Sequence, residues 1–198
     1  MADSWTGAGI FMVQTFVGLY VLFLVIRFLM QASRADYYNP ICRSIVRLTD
    51  PAIKPFRFVF PTLSVLDTAT LATAVVIQTF GIAMIMAITG NSLFNLIYFA
   101  WAFVGILSNI LNVYFFSLLI LVIASWLAPY SGHPIIQLVQ QITDPLCKPA
   151  RRLIPPLGGL DFSLILVFVA VNLLDNFLLV RPMALFFGVP NGLITGLY

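Results

Sequence analysis

TDPLCKPARRLIPPLGGLD, from Thr143 to Asp161, decides how this chain is read. TDPAIKPFRFVFPTLSVLD, from Thr49 to Asp67, repeats its pattern 94 residues earlier. Thr, Asp, Pro, Lys, Pro, Arg, Pro, Leu and Asp recur in the same order with the same gaps, which chance does not produce. The protein is therefore an internal duplication. Working outward, Asn39-Pro40-Ile41 lies over His133-Pro134-Ile135. With four extra residues in the first copy, Ile26-Arg27-Phe28-Leu29 lies over Ala124-Ser125-Trp126-Leu127.

The surroundings of these stretches are unusually apolar. Of the 198 residues, 61% are hydrophobic and 9% charged, against about 25% charged in a soluble domain. Segments with so little affinity for water imply lipid as the solvent. Glu is absent and all seven acids are Asp. The net charge of +3 is modest and unevenly placed, which gives orientation in a membrane rather than nucleic-acid binding. Cys42 and Cys147 have no counterparts in the repeat alignment, no Cys-x-x-Cys occurs, and one His cannot complete a zinc site with them. They read as reduced thiols at the membrane edge. No metal and no cofactor is expected.

Taken in order, residues 1–9 hold one Asp and no basic residue, so the first apolar run lacks the positive flank of a cleavable signal peptide. The sequence predicts spans at about 10–30 and 68–88, separated by a basic loop at 31–64. These form a first repeat over 1–90. A connector on the outer surface occupies 91–104. The second repeat covers 105–182, with spans at about 105–128 and 162–180 around a basic loop at 129–161. An apolar tail, 183–198, packs on the outer surface. Residues 93–127 carry no charge, and as one helix they would be about 52 Å long. Either the first part lies along the surface, or two short spans are hidden there. An even number of crossings leaves both basic loops on one side. Their Lys and Arg excess makes that side cytoplasmic and puts both termini outside. Tyr98 and Trp101 then fall in an outer aromatic belt.

Each basic loop reads as an amphipathic helical hairpin at the membrane surface. Asn39-Pro40 and His133-Pro134 are helix starts, and Asp50-Pro51 restarts the chain with Asp as N-cap. Asp67 and Asp161 cap the spans that follow. The cations Arg43, Arg47, Lys54, Arg57, Lys148, Arg151 and Arg152 form a basic face for anionic lipid headgroups or a protein partner, each contributing about 1 kcal/mol near such a surface. Arg27, near the end of the first span, can snorkel to the headgroups.

The second constellation is intramembrane: Gln14, Gln78, Asn109, Asn112, Asn172, Asp175 and Asn176. Gln14 lies over Asn112 and Gln78 over Asn172 in the repeat alignment, so matched amides can join helices by hydrogen bonds or line a polar path. No nucleophile–base pair or phosphate-cradling loop appears, and the capping aspartates weaken a carboxylate-dyad reading. The chain is not expected to be an enzyme.

The repeated motif resembles the YggT family of small bacterial inner-membrane proteins. Copy one carries it in Asn39-Pro40, Thr49-Asp50-Pro51, Lys54-Pro55, Arg57, Pro61 and Asp67. Copy two carries it more specifically, in Ser125-Trp126, Thr143-Asp144-Pro145, Lys148-Pro149, Arg151-Arg152, Leu153-Ile154-Pro155 and the run Gly158 to Ser163. Copy one departs at Phe58, where a second arginine is usual. The resemblance implies a double-repeat membrane protein linked to tolerance of osmotic shock, with potassium uptake or homeostasis suggested. Relatives in photosynthetic organisms are tied to cytochrome assembly and to organelle or cell division.

The expectation is thus an all-α protein of about four spans in two tandem repeats. The first functional reading is a non-enzymatic accessory or scaffold that binds anionic lipid or a membrane-protein partner. The alternative is a small oligomeric ion channel or transport subunit. No nucleic-acid partner is expected.

Overall fold

A computed structural model describes residues 2–61, 66–127, 132–153, 161, 163–190 and 192–193. Among these residues seven α-helices follow in order: α1 (Ala2–Ala32), α2 (Pro40–Ile53), α3 (Thr68–Ile88), α4 (Ile97–Leu127), α5 (Pro134–Leu153), α6 (Ser163–Leu173) and α7 (Val180–Phe186). A 3-10 turn at Phe56–Phe58 follows α2, and a π-helical turn at Leu174–Leu178 joins α6 to α7. The stretches 5–32, 68–88, 97–125 and 163–186 are long and apolar enough to cross a membrane. The protein is all-helical with four candidate spans.

The duplication organises the packing. One core joins α1, α2 and α3 through Val21, Leu24, Met30, Cys42, Ile53 and Ala69, and it reaches into the second half through Ile106, Val113, Leu138 and Ile142. A second joins α4 to α7 through Val104, Leu118, Val139, Cys147, Val167 and Val180. The helices α3 and α4 lie side by side and join the halves. Both basic segments sit at one end of the bundle and touch each other there. Asn39 caps α2 by accepting from the Ile41 N–H (2.9 Å), and its Nδ2 donates to the Pro134 carbonyl at the start of α5 (2.7 Å). The Asp36 N–H donates to Gln141 Oε1 at 2.9 Å.

Several expectations change. Residues 97–104, assigned from sequence to the connector, are the first turns of α4. Its 31 residues make one continuous helix of about 46 Å, capped where the Ile97 N–H donates to Asn95 Oδ1. The helix α2 also runs through Asp50-Pro51, and α5 runs through Pro145 and Pro149. Asp50 therefore caps nothing. A proline deprives the carbonyl four residues earlier of its donor. Here all three prolines and the residues Arg47 and Pro145 face outward, with Gln141 half-buried, so those carbonyls lie near the exposed faces. Tyr98 and Trp101 turn inward rather than forming a belt: the Tyr98 hydroxyl donates to the Ser92 carbonyl (2.8 Å) and Trp101 Nε1 to the Phe187 carbonyl (2.9 Å). Leu193 packs with Ile82, Ile85, Tyr98 and Ala102 at the end away from the basic segments. The turn at 155–159 lies outside the described residues.

Candidate functional site: a pinned basic end and a polar groove

Arg27 is the residue that sequence reasoning misplaced. It does not snorkel; it is 4% exposed. Its Nη1 donates to the Val46 carbonyl (3.0 Å) and to Thr49 Oγ1 (2.7 Å), and its Nη2 donates to Asp50 Oδ1 (2.6 Å). One guanidinium from α1 thereby holds the Thr-Asp of the first motif against the bundle. A buried cation in an apolar helix requires such a partner. The available signal was that its counterpart in the repeat is Ser125, an uncharged residue.

The repeated arginine and the repeated capping aspartate meet in both copies. Arg57 Nη2 lies 3.6 Å from Asp67 Oδ2, and Arg151 Nε donates to Asp161 Oδ2 at 2.8 Å. Asp67 also caps α3 by accepting from Thr70 (N–H 3.2 Å, Oγ1 2.8 Å). Asp161 accepts from the Ser163 N–H and hydroxyl. In copy two the motif aspartate, Asp144, has no arginine from a span. Lys148 pairs with it at 2.9 Å, and Arg151 Nη1 lies 3.8 Å away.

Of the seven cations expected on the basic face, Arg57, Lys148 and Arg151 are thus engaged with aspartates. Arg43 lies over the Tyr38 ring at 5.7 Å. Arg43, Arg47, Lys54 and Arg152 are exposed, and among the described residues none of them forms an ion pair. Burial pushes the Asp161 carboxyl up, but the hydrogen bonds from Ser163 and Arg151 outweigh it and hold the group below its ordinary range. Burial raises the thiols of Cys42 and Cys147, which are free and fully enclosed.

The second constellation converges further than the sequence indicated. Gln14, Asn109, Asn112, Asn172, Asp175 and Asn176 all line one groove of about 1280 Å³. Its walls come from α1, α4, α6 and the π-helical turn that follows α6, and α2 and α5 contribute Ser44, Leu48, Leu138 and Ile142 at the basic end. The groove exists because α1 packs on α3 and α4, and α6 packs on α4, but α1 and α6 do not meet. Arg181, which sequence reasoning left out, lines it too. Gln78 does not. It is buried beside Val17 and Gly81 between α1 and α3, and its Oε1 has no partner among the described residues.

The amides do not join helices in the expected pairs. Gln14 Nε2 donates to the Gly192 carbonyl (2.7 Å), Asn172 Nδ2 to Phe168 (2.9 Å), and Asn176 Nδ2 to Asn172 (3.2 Å). Among the described residues Asn112 reaches only Ser108 Oγ in its own helix, at 3.5 Å. Ser108 on α4 lies beside the Asp175 carboxylate, while Asp175 Oδ1 and the buried Asn109 Nδ2 have no described partner.

Two covalently joined helical repeats, four candidate spans and a charged end built from the duplicated motif define a multi-pass membrane protein. The CCB3/YggT family profile matches residues 6–88 and 100–182, once per repeat, and the chain belongs to that family. It is 40% identical to the uncharacterized protein PA0392 of Pseudomonas aeruginosa, over 94% of this chain and 95% of that one. It is 33% identical to the uncharacterized protein YggT of Escherichia coli K12, over 82% and 86%. A shorter match, 34% over 38% of this chain and 30% of the other, is to YlmG homolog protein 2, chloroplastic, of Arabidopsis thaliana. No solved structure matches.

Proposed function

We propose that this protein is a non-enzymatic accessory or scaffold of the bacterial inner membrane. Its basic end rests on anionic headgroups at the cytoplasmic face, and it supports tolerance of osmotic shock. One observation carries the reading. The aspartates of both motifs hold Arg27, Arg57, Lys148 and Arg151, while Arg43, Arg47, Lys54 and Arg152 remain exposed without ion pairs among the described residues. The first set fixes the segments, and the second is left for an external anion. Four cations near an anionic surface contribute up to about 4 kcal/mol.

The test uses the full chain purified from a membrane containing phosphatidylglycerol. Replacing Arg43, Arg47, Lys54 and Arg152 by Gln should remove the enrichment of anionic lipid in the preparation and lower the survival of osmotically shocked cells. Undiminished enrichment with the fold and orientation intact would overturn the reading. A second reading, an oligomeric channel or transport subunit in potassium homeostasis, is favoured by the convergence of six polar side chains in one groove. Potassium flux into proteoliposomes, lost in Asn172→Leu, would support it over the scaffold.

A further inference from the structure

We infer that the groove between α1 and α6 binds a zwitterionic glycerophospholipid with a primary ammonium, that is, a phosphoethanolamine headgroup, with its acyl chains running toward the basic end. The site is distinct from the exposed cations of the basic segments.

The argument starts from the free atoms of the wall. The side-chain nitrogens of Gln14, Asn172 and Asn176 are committed to backbone carbonyls. Since a carbonyl can only accept, these bonds fix each amide's orientation and leave its oxygen and its second N–H to face the groove. The Asp175 carboxylate adds an Oδ1 without a described donor. The amides can serve either kind of partner, but the Asp175 carboxylate only accepts, so it asks for N–H or O–H donors.

Arg181 decides what carries those donors. It is exposed, lines the same groove and does not pair with Asp175. Asp175 is level with Ser108 on α4, and Phe187 is level with Trp101. Those two α4 residues are seven apart, about 10 Å along the helix, and Arg181 falls between Asp175 and Phe187 in the chain. One negative and one positive group, separated along one wall, complement an ammonium and a phosphate in a headgroup folded back so that its ammonium lies on the side of the acyl chains. A bare cation would satisfy Asp175 but leave Arg181 facing like charge. The buried Asn109, 8% exposed and with Nδ2 unpaired among the described residues, is a further donor available to an ester or phosphate oxygen.

The rest of the lining is hydrocarbon: Leu19, Leu22, Phe23, Leu111, Val139 and Ile142 lead away from the polar region. The volume exceeds the ~300–1,000 Å³ usual for a small-molecule pocket, which suits a ligand with long chains. The gap between α1 and α6 gives entry from the bilayer.

The ligand itself supplies the cleanest test. The full chain in a neutral maltoside detergent is offered equal amounts of dioleoyl-phosphatidylethanolamine and dioleoyl-phosphatidylcholine, and bound lipid is counted by native mass spectrometry. The trimethylated headgroup keeps the charge but has no N–H. The ethanolamine lipid should be retained about tenfold better, equivalent to about 1.4 kcal/mol. Asp175→Asn should reduce that preference at least fivefold, and Arg181→Gln should lower retention of both lipids. Exchanging Arg43 and Arg47 for Gln should leave the preference unchanged. Equal retention of the two lipids by the unmodified chain would overturn the proposal, even if Asp175→Asn fails to fold. Loss of the preference in the Arg43/Arg47 variant would also overturn it, by assigning the lipid to the basic end.

Discussion

Arg27 shows how one side chain can anchor a surface segment from inside a span. Its three donors reach a carbonyl, a hydroxyl and a carboxylate on α2, so its removal leaves Asp50 without its ion-pair partner as well as breaking bonds. Arg27→Ala should lower stability in detergent by about 3 kcal/mol, measured by thermal or denaturant unfolding. Arg43→Ala, at an exposed site, should stay within about 0.5 kcal/mol. Asp161 makes a different demand, on pH. Its folded carboxyl titrates below its ordinary range, so the stability it adds is complete above the unfolded value near ~4. That stability is lost as pH falls through the lowered folded value. The protection factors for hydrogen exchange in α5 should therefore be constant from about pH 7 to 5 and fall below about pH 4, a dependence that Asp161→Asn should flatten. At this scale the repeated Asp and Arg were legible as important, but their pairing was not. Spacing along the chain does not show that Arg57 and Arg151 reach aspartates ten residues further on.

At the scale of elements, hydropathy located the four candidate spans, because each long helix must carry a nearly unbroken apolar run. Chain breaks were harder to read. Asp-Pro signals a helix start when the proline occupies the first turn, yet the same residues are tolerated inside α2 and α5 because the prolines lie on outward faces. The start of α4 was equally obscure, since an uncharged stretch carries no mark that separates its surface part from its buried part. The seam between α1 and α3 was not visible at all. A Cβ added at Gly81 would lie 2.7 Å from Val17 Cγ1 and 3.3 Å from Val17 Cβ. Val17 is β-branched and has little rotameric freedom to yield. Gly81→Ala should therefore destabilise the protein by about 1–3 kcal/mol, and Val17→Ala in the same chain should recover part of that loss. Full additivity of the two changes in unfolding experiments would contradict the contact.

For the whole molecule, the duplication implied two similar halves with their basic segments on one side. The Asn39–Pro134 and Asp36–Gln141 hydrogen bonds place those segments together. Single cysteines at Ser44 and Gln140, in a chain lacking Cys42 and Cys147, should be labelled by an impermeant maleimide in inside-out vesicles and protected in intact cells. Labelling of both in intact cells would reverse the orientation, and labelling of one alone in each preparation would contradict the fold. The groove was legible only in part. The polar residues announced themselves inside apolar runs, whereas their convergence depends on α6 standing away from α1. No repeat alignment contains that information, because it is where the two halves cease to be equivalent.

That inequivalence bears on the cross-section of the molecule. Three of its four flanks are zipped helix to helix, between α1 and α3, α3 and α4, and α4 and α6. The fourth is unsealed. Any change in the lateral squeeze of the bilayer meets stiff resistance on three sides and yields first at the open one, so whatever lies between α1 and α6 sets the area that the protein claims in the plane of the membrane.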